Sequence, residues 1–271
     1  MPKALLTGAA GGIGRATALL LWKKGFDLIL TDKCEISLKA AFPDLPSGSV
    51  REVLDVTDPQ AWQGIANRYT DPDILIQLAG VMRAGTFIKQ SPEEWEWHVK
   101  INLNGIAYGA QTFGRIFAER GKGHIINVAS LAGVAPIPGI TAYTATKFAV
   151  RGLSLALDAE LRPYGVAVSV VCPGPVRTSL ILNELPKPES LYTLAMGGLL
   201  EPAVVAKSIW KAIRTRRREI LLPLHKAIAA KFLSLFPELQ GLAKLLAHPG
   251  ATRRRQKYLK NLEGQEPLLA S

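Results

Sequence analysis

The chain has 271 residues, 48% of them hydrophobic and 20% charged, with a formal net charge of +11. That length and apolar content suffice for one large α/β domain with a sizeable core, and exclude disorder except near the C-terminal end. Two isolated cysteines, Cys34 and Cys172, and four scattered histidines (His98, His124, His225, His248) give neither a disulfide framework nor a metal-ligand spacing, so no metal is expected.

Short β-like runs at Lys3–Leu6, Asp27–Thr31, Val50–Leu54, Ile74–Gln77, His124–Val128 and Val166–Val171 alternate with helical patterns at Ile13–Lys24, Pro59–Tyr69, Pro92–Gly121 and Ala142–Tyr164. This alternation implies βαβ units with right-handed crossovers, hence a Rossmann-type doubly wound parallel sheet with helices on both faces. A last run, Glu219–Leu222, ends at Pro223 and reads as an edge strand. The expected organisation is one domain over residues 1–223 and a C-terminal amphipathic basic extension over 224–271.

Met1 to Gly8 run straight into a strand and a loop, with no charged segment and long apolar run before them, so no secretory leader is expected. No apolar stretch reaches the roughly 18 residues of a membrane span, and a cytoplasmic location is expected.

The first strand leads into Thr7-Gly8-Ala9-Ala10-Gly11-Gly12-Ile13-Gly14, which opens a helix. Glycines there let the backbone approach a pyrophosphate, and the helix end offers unpaired N–H groups to it. Asp32 ends the second strand, 18 residues beyond Gly14. A carboxylate there accepts from both ribose hydroxyls of NAD and repels a 2′-phosphate. Lys33 is the competing feature, but the loop itself carries no cation, so NAD(H) is favoured over NADP(H). Asp55-Val56 follow the third strand, where a short carboxylate reaches an adenine amino group. Gln77-Leu78-Ala79-Gly80 follow the fourth, where Ala79 and Gly80 let a cofactor pass close to the backbone.

Tyr143 and Lys147 are four apart and share one helix face. Ser130 lies 13 residues upstream at the end of the strand Ile125–Val128, and Asn102 lies in Lys100-Ile101-Asn102-Leu103-Asn104-Gly105. With these residues assembled, the chain resembles the short-chain dehydrogenases/reductases over roughly residues 3–180. Five blocks occur in order: the glycine loop, Asp55-Val56, Asn102, Ser130 with the Tyr143/Lys147 pair, and Pro173-Gly174-Pro175-Val176-Arg177-Thr178.

The resemblance implies Tyr143 as general base or acid, Lys147 lowering its pKa together with the positive nicotinamide ring and binding the nicotinamide ribose, and Ser130 orienting the substrate oxygen. It further implies Asn102 holding a water that relays protons from Lys147, and Val176 (backbone) and Thr178 holding the carboxamide. Two departures stand out. Gln77-Leu78 replace the usual Asn-Asn after strand four, and the usual Gly-rich end closing on Asp-Gly-Gly is missing, so the familiar tetramer is not implied. A homo-oligomer is expected nonetheless.

The resemblance implies that residues 179–200 form a mobile lid over the substrate, for which Gly197-Gly198 would serve as hinges. Leu180, Leu182, Leu194, Met196 and Leu199 face Val134, Pro136, Ile137 and Met82 across an apolar pocket, suited to a bulky hydrophobic alcohol or ketone. Residues 201–271 hold 14 Lys/Arg against 5 Asp/Glu, nine of the eleven net charges. From Leu224, apolar residues recur through Ile228, Phe232, Leu235, Leu239, Leu242 and Leu246, with a break at Pro237. With Lys226, Lys231, Lys244 and Arg253-Arg254-Arg255, this stripe could lie on an anionic membrane surface, cover the substrate cleft or pack on a second subunit. Nucleic acid is not expected, because the tail lacks base-stacking aromatics. The leading reading is an NAD-dependent dehydrogenase of a hydrophobic secondary alcohol. An NADP(H)-dependent carbonyl reductase and a non-catalytic dinucleotide sensor are the alternatives.

Overall fold

A computed structural model describes residues 1–45, 47–195 and 197–263. Seven strands form one sheet: β1 (Lys3–Thr7), β2 (Asp27–Asp32), β3 (Val50–Val53), β4 (Ile74–Gln77), β5 (Gly123–Val128), β6 (Val166–Pro173) and β7 (Glu219–Leu222). All pairings are parallel, in the order β3-β2-β1-β4-β5-β6-β7. The doubly wound sheet expected from the strand–helix alternation is therefore observed.

Both faces are covered, which is why the strands read as continuous apolar runs rather than alternating ones. Ala4, Leu6, Leu28 and Leu30 face helices α1 (Gly12–Trp22), α2 (Glu35–Ala41) and α8 (Pro202–Thr215). The alternate residues Leu5, Ile29, Leu75 and Ile125 face α3 (Pro59–Arg68) and α5 (Gly105–Arg120), where Trp62, Phe113 and Phe117 fill the layer. Helix α6 (Thr141–Leu161) packs along β6 on the same side as α5. The chain winds outward from β1 to β3, then returns to place β4 on β1's other side. That reversal opens a crevice at the carboxyl ends of β1 and β4, the usual place for a ligand in such sheets.

Two elements differ from the sequence expectation. The helical pattern over Pro92–Gly121 is not one helix. It breaks into α4 (Pro92–Val99), a π turn at Lys100–Asn104 and α5, with the Gly105 N–H reaching the Lys100 carbonyl. Asn102 sits in that widened turn and bonds sideways to Val81, which a regular helix would not direct in the same way. Helix α2 was not expected, because its seven residues bury a single side chain, Leu38, and show no helical period. The 179–200 segment contains α7 (Ser179–Leu182) and a 3₁₀ stretch at Pro188–Leu194. Beyond β7 the chain forms α9 (Leu224–Leu235), one 3₁₀ turn at Pro237–Leu239, and α10 (Gln240–Glu263), so the break expected at Pro237 is present.

Candidate active site

A cavity of about 680 Å³ opens at the crevice between the carboxyl ends of β1 and β4. At one end lies the glycine loop. Helix α1 begins after Gly11 with no side chain capping it, so its first N–H groups have no intrahelical partner and face the cavity. Gly14 is tied to its type by close approach: a Cβ there would lie 2.2 Å from the Gly8 carbonyl oxygen. The Asp32 carboxylate stands at the end of β2, where one oxygen accepts from the Ala10 N–H at 3.2 Å and the other is left for a ligand. Asp55 spends one carboxylate oxygen on the N–H and hydroxyl of Thr57, at 2.8 and 2.7 Å.

Gly8, Gly12, Ile13, Gly14, Asp32, Asp55 and Val56 all line this cavity, as do Ala79, Gly80, Pro173, Gly174, Val176 and Thr178. Ser130, Tyr143 and Lys147 line it at the other end. A glycine-lined helix N-terminus with a strand-end carboxylate one strand away is a donor and acceptor set that fits a dinucleotide. Lys33 lines the cavity beside Asp32.

Burial governs the chemistry at the inner end. The Tyr143 phenol is pushed up to about 12, chiefly by burial, while the Ser130 hydroxyl beside it pulls the other way. Burial likewise brings the Lys147 ammonium down to about 8. Both groups share one desolvated wall, which disfavours phenolate and ammonium alike. Lys147 Nζ sits 5.5 Å from the Tyr143 ring centroid and donates to the Val128 carbonyl at 3.0 Å. Ser130 Oγ accepts from the Ala132 N–H at 3.1 Å and donates to the Pro173 carbonyl at 3.4 Å, and the side chain lines the cavity.

Asn102 lies behind the cavity wall, fully buried. Its Oδ1 accepts from the Val81 N–H at 2.8 Å, and its Nδ2 donates to the Val81 carbonyl at 2.9 Å and to Thr146 Oγ1 at 3.2 Å. The side chain is therefore a brace between the strand-four loop and α6, and Gly80 lies next to both it and Lys147. A Cβ at Gly80 would lie 3.3 Å from Asn102 Oδ1 and 3.6 Å from Lys147 Nζ.

The replacement of Asn-Asn by Gln77-Leu78 has a compensation. Gln77 Nε2 donates to the Ile106 carbonyl and to Asn127 Oδ1, each at 3.0 Å. Asn127 in turn donates to Ser154 at 2.9 Å, so a buried polar chain ties β4 and β5 to α6. Thr7 Oγ1 adds a second anchor, accepting from the Leu78 and Ala79 N–H groups.

The apolar wall is partly as expected. Met82, Ile137 and Leu180 line the cavity. Leu182, Leu194 and Leu199 instead pack behind it with Tyr143 and Leu185. Val134 turns into a separate core cluster with Val150 and Cys172, and Pro136 faces solvent. Met196 lies outside the described residues.

Sequence reasoning missed Trp97, Thr193 and Glu184, which also line the cavity. Glu184 accepts from the Ala84 N–H at 2.5 Å and pairs with Lys187 at 2.9 Å, linking the lid to the strand-four loop. A lone Glu in an irregular stretch carries no local signal that would single it out. Among the described residues, no group of three or more His, Cys, Asp or Glu is placed to hold a metal ion.

A sequence profile of the short chain dehydrogenases matches residues 2–188. A probable oxidoreductase, EphD, of Mycobacterium tuberculosis is 35% identical over 184 residues, covering 65% of this chain and 31% of that protein, so the match spans about a third of that relative's length. A 3-alpha-(or 20-beta)-hydroxysteroid dehydrogenase of the same organism is 30% identical over 210 residues, covering 76% of this chain and 80% of that one. Among solved structures, a short-chain dehydrogenase/reductase from Burkholderia phymatum in complex with NAD superimposes with a TM-score of 0.78 at 29% identity, covering 88% of this chain and 95% of that one.

Proposed function

The chain belongs to the short-chain dehydrogenase/reductase family, and from that premise we propose that it transfers hydride between NAD(H) and a hydrophobic secondary alcohol or ketone. The observation that carries this reading is convergence: Ser130, Tyr143 and Lys147 meet at the apolar end of the same cavity whose other end is the glycine loop and Asp32.

The dinucleotide, when bound, supplies the hydride donor or acceptor. Gly8, Gly12, Ile13 and Gly14 hold its pyrophosphate, and Asp32 its adenosine ribose. Asp55 and Val56 serve the adenine, Ala79 and Gly80 let the chain of the cofactor pass, and Pro173, Gly174, Val176 and Thr178 hold the carboxamide end. Ser130 donates to or accepts from the substrate oxygen and fixes its position. Tyr143, a phenol in its buried state, gives its proton to that oxygen in reduction and takes it back in oxidation. Lys147 stands against the Tyr143 ring and stabilises negative charge as it develops on the phenol oxygen. Asn102 holds the loop after β4, whose Gly80 lies beside Lys147. Met82, Ile137 and Leu180 exclude water and favour an apolar substrate.

Asp32 favours NAD(H), since a 2′-phosphate beside its carboxylate meets like charge. Dinucleotide titration followed by a screen of hydrophobic alcohols and ketones tests the reading. Tighter binding of NAD(H) than NADP(H), with turnover of apolar secondary alcohols, is the expected result. A large NADP(H) preference sinks the Asp32 argument and favours the carbonyl-reductase alternative through Lys33. Binding without turnover of any alcohol or ketone favours the sensor alternative.

The exposed face of α9 supports contact with an anionic membrane surface. This helix is inverted: it buries Ala227 and Ala230 against Val170 and Cys172, while Leu224, Ile228, Phe232 and Leu235 are 57–72% exposed. The apolar exposure continues at Phe236, Leu239, Leu245 and Leu246; the side chains of Leu242 and Lys244 lie outside the described residues. Lys231 pairs with Glu219 at 2.6 Å, which sets α9 beside the exposed Arg216-Arg217-Arg218 run. A second copy on this face would bring the same cations together, whereas an anionic bilayer accommodates apolar face and cations at once. No helix among the described residues is long and apolar enough to cross a membrane.

A further inference from the structure

Helix α10 lies along the lid, and two of its three arginines, Arg254 and Arg255, point to backbone oxygens rather than carboxylates. Arg254 donates from Nε to the Leu194 carbonyl at 2.8 Å and from Nη2 to the Ala195 carbonyl at 3.0 Å. Arg255 donates from Nε to the Leu185 carbonyl at 2.8 Å and from Nη2 to the Pro186 carbonyl at 2.6 Å. Tyr258 accepts from the Leu199 N–H at 3.0 Å, with its ring 5.7 Å from the Arg177 guanidinium. A single turn and a half of helix thus holds the lid at residues 185, 186, 194, 195 and 199.

The residue types on both sides suit this grip. The gripped carbonyls flank the 3₁₀ stretch at Pro188–Leu194, and a guanidinium fork meets two adjacent carbonyls where an ammonium has no such fixed geometry. Gly198 leaves room for the Tyr258 hydroxyl, since a Cβ there would lie 3.1 Å from it. Behind the polar contacts, Tyr258 and Leu259 pack on the apolar cluster of Met82, Tyr143, Ile181, Leu185 and Leu194. The helix therefore backs the same wall that closes the substrate end of the cavity.

We propose that Arg254, Arg255 and Tyr258 are positioning residues that latch the substrate lid in its closed form, from the same chain, and so set the affinity for the apolar substrate. The lid-ordering half stands on the contacts alone; the substrate half rests on the dehydrogenase reading above. Two of the three arginines that mark the C-terminus as basic are spent on the lid, and Arg253 faces solvent.

The test uses the full chain carrying Arg254→Lys and Arg255→Lys together, with Tyr258→Phe as a second, milder variant. Hydrogen exchange is read without cofactor or substrate, and steady-state kinetics are read with the best alcohol from the screen. In the lysine pair, lid amides between residues 185 and 195 are expected to exchange roughly tenfold faster or more, because forked charged hydrogen bonds are lost while charge is kept. KM for the alcohol is expected to rise roughly tenfold with the dinucleotide Kd unchanged, as uniform substrate binding is lost. In Tyr258→Phe, faster exchange is expected at the Leu199 amide. Unchanged lid exchange in both variants overturns the latch. Faster lid exchange with unchanged KM overturns its role in substrate affinity. Failure of the dehydrogenase reading shows separately, as no turnover by the unaltered enzyme, and the exchange readout then decides the latch alone.

Discussion

Replacing Asn102 by Ala removes a side chain that braces two parts of the site without entering the cavity. Three hydrogen bonds disappear: from the Val81 N–H, to the Val81 carbonyl and to Thr146 Oγ1. At about 1 kcal/mol net for each, the loss is about 3 kcal/mol, and more if no water reaches the stranded Val81 groups. For a chain of this size that corresponds to a fall in Tm of roughly 6–12 °C. Asn102→Asp does at least as badly, because it keeps the acceptor for Val81 N–H but sets an oxygen against the Val81 carbonyl. Urea unfolding of each variant gives the stability change, and kcat measured on the remaining folded enzyme gives the functional one. The brace predicts both a loss of stability of this size and a lower kcat, through the displaced Gly80 and Lys147. A stability change below about 1 kcal/mol with a collapsed kcat would refute it, and would place Asn102 directly in the proton relay.

His124 and the α9 face give two further tests. Burial brings the His124 imidazole down to about 4, so between pH 6.5 and 4 the unfolded chain holds a proton that the native one refuses. Stability therefore falls as pH drops through that window, by on the order of 3 kcal/mol; urea midpoints at pH 7 and 4.5 should show it, with a shallower fall in His124→Gln. For α9, cosedimentation with phosphatidylserine-containing vesicles should exceed that with neutral phosphatidylcholine vesicles, and Phe232→Ser with Leu235→Ser should abolish the difference. Equal pelleting with both vesicle types, or none, removes the membrane assignment.

Local patterns made much of the site legible. The glycine loop, Asp32 and the Tyr143/Lys147 spacing each depend on one strand–loop–helix unit, so the chain segment alone declares them, and all line the cavity. Asn102 was legible as a position but not as a brace. Its π turn exists through a bond to Val81, 21 residues away, and no helical period reveals that. Val134 was placed on the substrate wall because it is apolar and near Ser130, yet its side chain turns into the core with Val150. The basic C-terminus was open to three readings, since nothing local distinguishes an arginine that meets backbone carbonyls from one that meets a membrane. Arg254 and Arg255 take their meaning from lid residues some 60 to 70 positions upstream.

The central claim concerns the phenol hydroxyl of Tyr143. Turnover of the preferred hydrophobic alcohol with NAD⁺ should be compared between the unaltered enzyme and Tyr143→Phe, with dinucleotide Kd measured on both. Loss of the proton-transferring group predicts a fall in kcat of roughly 10²- to 10⁴-fold with the Kd almost unchanged. Turnover at the original rate in Tyr143→Phe would contradict the account.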